Sequence, residues 1–250
     1  MDRSSARLVA ATLEAEFRAL GTDERAVKEK AYLKSDLTFL GCTLWQIRAV
    51  VLNWLAGHPL RTGSDAVKLA DALWSEPILD RRMAAVFVLE GATTRLGVAD
   101  LGFLERLLRE SRTWALVDGL AANVVGAIRQ ADPAAAELVL DRWAADDDFW
   151  IRRASLLGEL PAVVRGGAPL EPFLRRADAM LEEKEFFIRK AIGWVLREIG
   201  KKRPAEVAAW LGPRTARASG VTMREAVRWL PEIDRARLMA AYRSKRPAVS

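Results

Sequence analysis

The segment DDDFWIRRAS at 146–155 returns as EKEFFIRKAI at 183–192, an offset of 37 residues. Phe149, Ile151, Arg152 and Ala154 recur as Phe186, Ile188, Arg189 and Ala191, and acidic, aromatic and basic types are kept at other positions. A fainter copy, DRRMA at 80–84, lies about two periods upstream. Self-similarity in this range confines a chain to stacked supersecondary units, each of which buries its apolar face on its neighbours. The unit is helical. Within Glu183–Lys201, Phe187, Ile188, Ala191, Ile192, Val195 and Ile199 recur at helical spacing and build one apolar face. The predicted fold is therefore all-α: HEAT-like pairs in a helical-repeat solenoid, an α-α superhelix. An irregular all-helical globule is the alternative.

The remainder of the chain agrees. Ser4 or Ser5 is placed to cap a first helix running to Leu20, with Gly21 as its stop. Further helices are expected over 24–34, 44–56, 65–74 (capped by Ser64), 79–89, 100–109, 113–130, 134–145, 149–160, 170–182, 186–200, 204–211, 222–230 and 232–243. Residues 1–243 are expected to form one domain and 244–250 a frayed tail. On the 186–200 helix, Lys190, Arg197 and Lys201 project opposite the apolar face, with Trp194 among them. Arg81–Arg82, Arg152–Arg153 and Arg189–Lys190 stand near the starts of successive helices. Cations there oppose the helix dipole. Either preceding acids such as Asp148 and Glu185 offset them, or they form a basic track along a concave groove that meets phosphates.

Composition narrows the chemistry. A net charge of +6 favours nucleic acid, an acidic protein or an anionic surface as partner. A hydrophobic content of 51% over 250 residues suffices for a core. One cysteine, Cys42, and one histidine, His58, rule out an internal disulfide framework and the usual zinc sites, and point to a reducing cytoplasm. No P-loop pattern, signal-peptide core or run of 18 apolar residues occurs. His58 stands in a loop between Gly57 and Pro59, far from any nucleophile-elbow motif. Carboxylate chemistry remains, without metal or cofactor.

Asp118, in TWALVDGLAANVV, is the candidate. Trp114 lies four residues before it, hence on the same helix face. Both border the apolar face of Val117, Leu120, Val124 and Ile128. An aspartate in the body of such a helix needs solvent or a partner, and Arg129 or Arg153 could supply one. Arg153 projects into the apolar arc of its own helix, where a guanidinium wants an internal acid or a phosphate. Trp114 with Asp118, then Arg153, then Lys190, Trp194 and Arg197 would thus occupy successive repeats. Such a set suits hydrolysis of the N-glycosidic bond of a cationic purine. The base already carries its positive charge, so no general acid is required. A carboxylate can stabilise the oxocarbenium-like sugar and place the water.

At these residues the chain resembles the AlkD-like DNA alkylation repair glycosylases. TWALVD, FWIRRAS, EKEFFIRKAIGWVLRE and TMREAVRWL carry the resemblance, which runs in order from Tyr32 (in KAYLKSDLTFLG) to Leu230. It implies a HEAT-like solenoid with a concave basic DNA groove. It also implies excision of N3- and N7-alkylated purines such as 3-methyladenine and 7-methylguanine from duplex DNA, without turning the base into a pocket. By position, Asp118 matches the catalytic carboxylate, and Trp114 and Trp194 the tryptophan pair at the lesion nucleotide's backbone. Arg153 matches the groove arginine and Tyr32 a groove tyrosine. The chain departs from the pattern at Thr113-Trp114-Ala115, where the family often reads Trp-Trp-Asp, and at Leu44-Trp45, where it has Thr-Pro.

The reading is a monomeric, metal-independent DNA glycosylase of the cytoplasm, associated with the nucleoid when bound to DNA, with Arg153, Lys190 and Arg197 on phosphates. The alternative is a non-catalytic helical scaffold for nucleic acid or an acidic protein. A third reading makes the basic face a membrane-surface patch.

Overall fold

Local chemistry starts and stops the helices. The computed structural model describes residues 1–165 and 167–244. Among them there is no strand, only an isolated bridge between Thr38 and Ile78. Among the described residues no helix is long and apolar enough to cross a membrane. The expected tail lies outside the described residues except for Ser244, which ends the last helix. The chain divides into two compact units, the second beginning at Pro133.

The first unit contains α1 (Arg3–Leu20), α2 (Asp23–Leu33), α3 (Leu44–Gly57), α4 (Gly63–Trp74), α5 (Leu79–Gly91), α6 (Leu101–Glu110), α7 (Trp114–Asp118) and α8 (Gly126–Ala131). Two caps differ from expectation by a few positions. Asp2, not a serine, accepts the Ser5 amide at the start of α1, and Thr62 rather than Ser64 caps α4 in a capping box with Asp65. Each serine had a neighbour with an equally suitable side chain oxygen. The core is layered through Phe17, Leu69, Leu73, Val86 and Leu89, all buried, each contributing roughly 1.5–3 kcal/mol. The continuous helix expected over 113–130 is interrupted: residues 119–125 form a π-helix between α7 and α8.

The second unit contains α9 (Pro133–Ala144), α10 (Phe149–Leu157), α11 (Leu160–Arg165), α12 (Glu171–Ala179), α13 (Phe186–Gly200), α14 (Pro204–Leu211), α15 (Gly220–Ala226) and α16 (Glu232–Ser244). Helix α13 buries Ile188, Ala191, Ile192, Val195 and Ile199, the face its periodicity marks out. The repeated acids are N-caps: Asp148 accepts the Trp150 amide and Glu185 the Phe187 amide.

The repeated basic residues are clamps. Arg82, Arg152 and Arg189 each occupy the fourth position of their helix. Each guanidinium reaches back to the carbonyl six residues earlier, on Glu76, Asp146 and Glu183 respectively. Such a bond offsets the unfavourable place of a cation near a helix N-terminus, because it satisfies a carbonyl of the incoming loop. Arg152 also bonds both carboxylate oxygens of Glu183, at 3.0 and 2.9 Å, tying one copy of the repeat to the next. Arg81 and Arg82 are buried; Arg81 bonds the Leu73 and Ala72 carbonyls and Glu14, and Arg82 reaches the Glu110 carbonyl. The expectation of an exposed phosphate track is therefore corrected for this pair: their charges are spent inside the protein.

Candidate DNA-contacting site

In the first unit, Trp114 opens α7 and Asp118 ends it, one helical turn apart and both half-buried. The π-helix begins at the next residue. A π turn holds one residue more than an α turn, and such insertions recur at functional sites. Here the widened segment is fastened to α5 at two points. A β-carbon on Gly119 would lie 2.9 Å from Val86 Cγ1, so only glycine permits this approach. Farther along, the Asn123 amide donates to Glu90 at 2.6 Å, and Glu90 in turn accepts from Arg48 at 2.8 Å. The Arg48 guanidinium lies 4.1 Å from the Phe87 ring centroid. The backbone that follows Asp118 is thus fixed by packing on one side and a polar chain on the other.

Tyr32 reaches this turn from α2. Its ring stands edge-on to Trp114, with centroids 6.0 Å apart and planes at 84°, a contact worth about 0.5–1.5 kcal/mol. Tyr32 is 71% exposed. Helix α2 buries only Leu33 and is moored through main-chain contacts of the following loop: Arg25 donates to the Cys42 carbonyl and the Thr22 amide to that of Gly41. One carboxylate and two aromatic rings are therefore gathered in one unit, on elements with separate supports.

In the second unit, Arg153 lies inside the apolar arc, as its helical projection requires, and is only 2% exposed. Its Nη1 donates to the Phe187 carbonyl on α13, and its guanidinium carbon is 5.8 Å from the Phe187 ring centroid. On α13, Trp194 is half-buried between Lys190 and Arg197. Both cations bond one carboxylate, Glu225 of α15. Burial acts to raise the Glu225 carboxyl, but the bonds and charges of Lys190 and Arg197 outweigh it and hold the group below the ordinary carboxylate range. The two helices meet closely at Gly193, where a β-carbon would lie 2.7 Å from Glu225 Cβ.

Sequence reasoning did not select Glu225, Asn123, Glu90 or Arg48. Glu225 stands in TMREAVRWL, but its partners lie 28 and 35 residues earlier, a pairing that no local spacing reveals. The π-helix left one trace, the glycines at 119 and 126 that bracket it.

The sequence matches the family described as DNA alkylation repair enzyme over residues 13–230. No curated protein matches it. Among solved structures, a predicted DNA alkylation repair enzyme from Enterococcus faecalis superposes with a TM-score of 0.76 at 19% identity, covering 85% of this chain and 97% of that one. AlkD2 from Streptococcus mutans gives 0.64 at 19% identity, over 90% of this chain and 99% of its own. The protein smu.31 from Streptococcus mutans gives 0.58 at 20%, over 75% and 93%. At these identities the superpositions speak to the fold, which is shared with AlkD-type helical-repeat proteins, while the match across 13–230 speaks to descent. The chain belongs to the DNA alkylation repair enzyme family.

Proposed function

We propose that this protein is a DNA N-glycosylase that removes cationic N3- and N7-alkylated purines, 3-methyladenine and 7-methylguanine among them, from duplex DNA. The observation that carries the reading is the Trp114–Asp118 turn, locked to α5 by Gly119 and Asn123 and flanked by Tyr32. A carboxylate on a rigid turn beside aromatic faces is suited to a developing cation, since groups fixed in advance need no reorganisation as charge appears.

In the reaction the bond from C1′ to the alkylated nitrogen breaks, and its electron pair neutralises the charge on the departing base. Asp118 stabilises the sugar cation left behind and orients the water that attacks C1′. The proton lost by that water passes to the carboxylate and on to solvent, and an abasic site remains. Because the base leaves neutral, neither a general acid nor a metal is called for. In the first unit Trp114 and Tyr32 pack on the strand beside the lesion; in the second Trp194, Lys190 and Arg197 meet the strand, while Arg153, 2% exposed and bonded to the Phe187 carbonyl, is corrected from a phosphate contact to an internal clamp. The protein acts as a monomer in the cytoplasm.

The test is release of free base from N-methylated duplex DNA by wild type and by Asp118→Asn. Removing a preorganised charge of this kind costs about 10²–10³-fold in rate, and a drop of that order is expected. Equal release by the variant would remove Asp118 from the chemistry. No release by wild type, with binding that weakens steeply as salt rises, would leave a non-catalytic nucleic-acid scaffold.

A further inference from the structure

Outside the residues assigned to the chemistry, the first unit holds a cavity of about 440 Å³ walled by α1, α4, α5 and α6. Its charges do not balance. Arg3 and Arg7, four residues apart and so on one face of α1, border it together with Lys68 of α4. The side chains of these three bond no described residue. The two carboxylates at the cavity, Asp71 and Glu110, are both paired with Arg106. The fifth cation, Arg82 of α5, is only 7% exposed. Its Nε and Nη1 donate to the Glu76 and Glu110 carbonyls, and its Nη2 bonds no described residue. Burial draws this guanidinium below its ordinary value, and no bonded carboxylate reverses the effect. Its carbon lies 5.1 Å from the ring centroid of Trp74, whose buried indole N–H bonds no described acceptor. The wall is rich in donors and poor in acceptors.

Size and charge identify the class of ligand. The groups come from four helices around one space, and its volume falls in the range of small-molecule sites, about 300–1,000 Å³. Five cations against two carboxylates leave a surplus of three positive charges. A phosphate dianion offsets two of them, and its oxygens can accept from α1, α4 and α5 at once. Guanidinium forks match phosphate oxygens in pairs, and the lysine adds a point charge.

We propose that this cavity binds a small molecule through a phosphate dianion, either a phosphate monoester or free phosphate. The inference does not depend on glycosylase activity. Isothermal titration calorimetry in chloride buffer tests it with orthophosphate, ribose 5-phosphate and ribose. Wild type is compared with Arg7→Gln/Lys68→Gln and with Lys30→Gln/Arg61→Gln, which removes two exposed cations that do not border the cavity. Circular dichroism checks that both variants fold. A phosphate probe should bind wild type with a Kd of about 1 mM or tighter, and ribose should not bind. Arg7→Gln/Lys68→Gln should weaken phosphate binding at least about tenfold, because two charge-assisted bonds are lost. Lys30→Gln/Arg61→Gln should leave it unchanged. Tighter binding of ribose 5-phosphate than of orthophosphate would support a monoester as the ligand, and the reverse order free phosphate. Failure of wild type to bind either phosphate probe overturns the proposal, as does equal binding by Arg7→Gln/Lys68→Gln. Displacement of bound phosphate by an equimolar undamaged duplex would make the cavity part of the DNA surface and overturn it equally.

Discussion

Replacing Gly193 by alanine sets two effects against each other, and the structure decides between them. Within a helix, glycine to alanine ordinarily stabilises by about 1 kcal/mol. Here the new β-carbon would lie 2.7 Å from Glu225 Cβ, 3.1 Å from the Thr222 carbonyl oxygen and 3.2 Å from Thr222 Cα. Carbon contacts are comfortable near 3.5–4.0 Å, so α15 must retreat by roughly 0.8 Å. Two of the three obstructing atoms are backbone and cannot rotate aside. Retreat strains the bond from Thr222 Oγ1 to the Arg189 carbonyl, 3.1 Å long, and draws Glu225 from Lys190 and Arg197. Overpacking of this kind costs about 1–3 kcal/mol and a weakened hydrogen bond about 1, which exceeds the propensity gain. Gly193→Ala should therefore destabilise by about 1–3 kcal/mol, measured by urea unfolding followed by circular dichroism. Gly102→Ala is the matched control: no atom lies within 4 Å of its β-carbon, so it should stabilise by up to about 1 kcal/mol. If Gly193→Ala stabilised the protein as Gly102→Ala does, the close α13–α15 packing would be refuted.

Three other perturbations follow from the same geometry. Arg176→Met should destabilise by about 3–5 kcal/mol in urea unfolding, because the side chains of Arg176 and Glu159 are both 1% exposed and the change breaks a buried ion pair from one side; adding Glu159→Gln should recover part of the loss, and a near-neutral Arg176→Met would contradict the buried pair. The Cys42 thiol, pushed up to about 12 by burial and by the nearby Asp80 carboxylate, should resist Ellman's reagent at pH 8 until urea unfolds the chain, and prompt reaction of native protein would show the site to be open. Glu14, Asp141, Asp178 and Glu225 are among the carboxyls that lie below their ordinary values. Burial raises Glu14, Asp141 and Glu225, but their cationic partners outweigh it, and Arg214 leads the lowering at Asp178. Their contribution is present above the unfolded-state pKa and is lost as pH falls through the folded-state values. The urea midpoint should hold between about pH 7 and 5 and drop below about pH 4, less so in Glu225→Gln; an acid limb unchanged by that substitution would mean that Glu225 is not held down by Lys190 and Arg197.

What was legible in the sequence was whatever depends on neighbours along one helix. The apolar face of α13 is such a property, and so are the matching positions of Phe149 with Phe186 and Ile151 with Ile188, because periodicity is a projection of the chain on itself. The oddness of Asp118 and Arg153 was legible for the same reason: each breaks a pattern set by its immediate neighbours. The meaning of a repeated arginine was not. Arg82, Arg152 and Arg189 look like surface cations at helix starts until the incoming loop is in place, when each finds a carbonyl six residues back. A guanidinium's role is set by the acceptors within reach, and those acceptors are placed by packing. The π-helix was hidden by a related ambiguity. Val117, Leu120, Val124 and Ile128 mark a buried face whose spacing an uninterrupted α-helix would also satisfy, so the added residue in the turn leaves the hydrophobic pattern almost untouched. The segment is held from outside, with Val86 close to Gly119 and Glu90 accepting from Asn123. The segment that follows Asp118 therefore takes its shape from α5, and a substitution at Val86 or Glu90 that never touches DNA can still move the carboxylate.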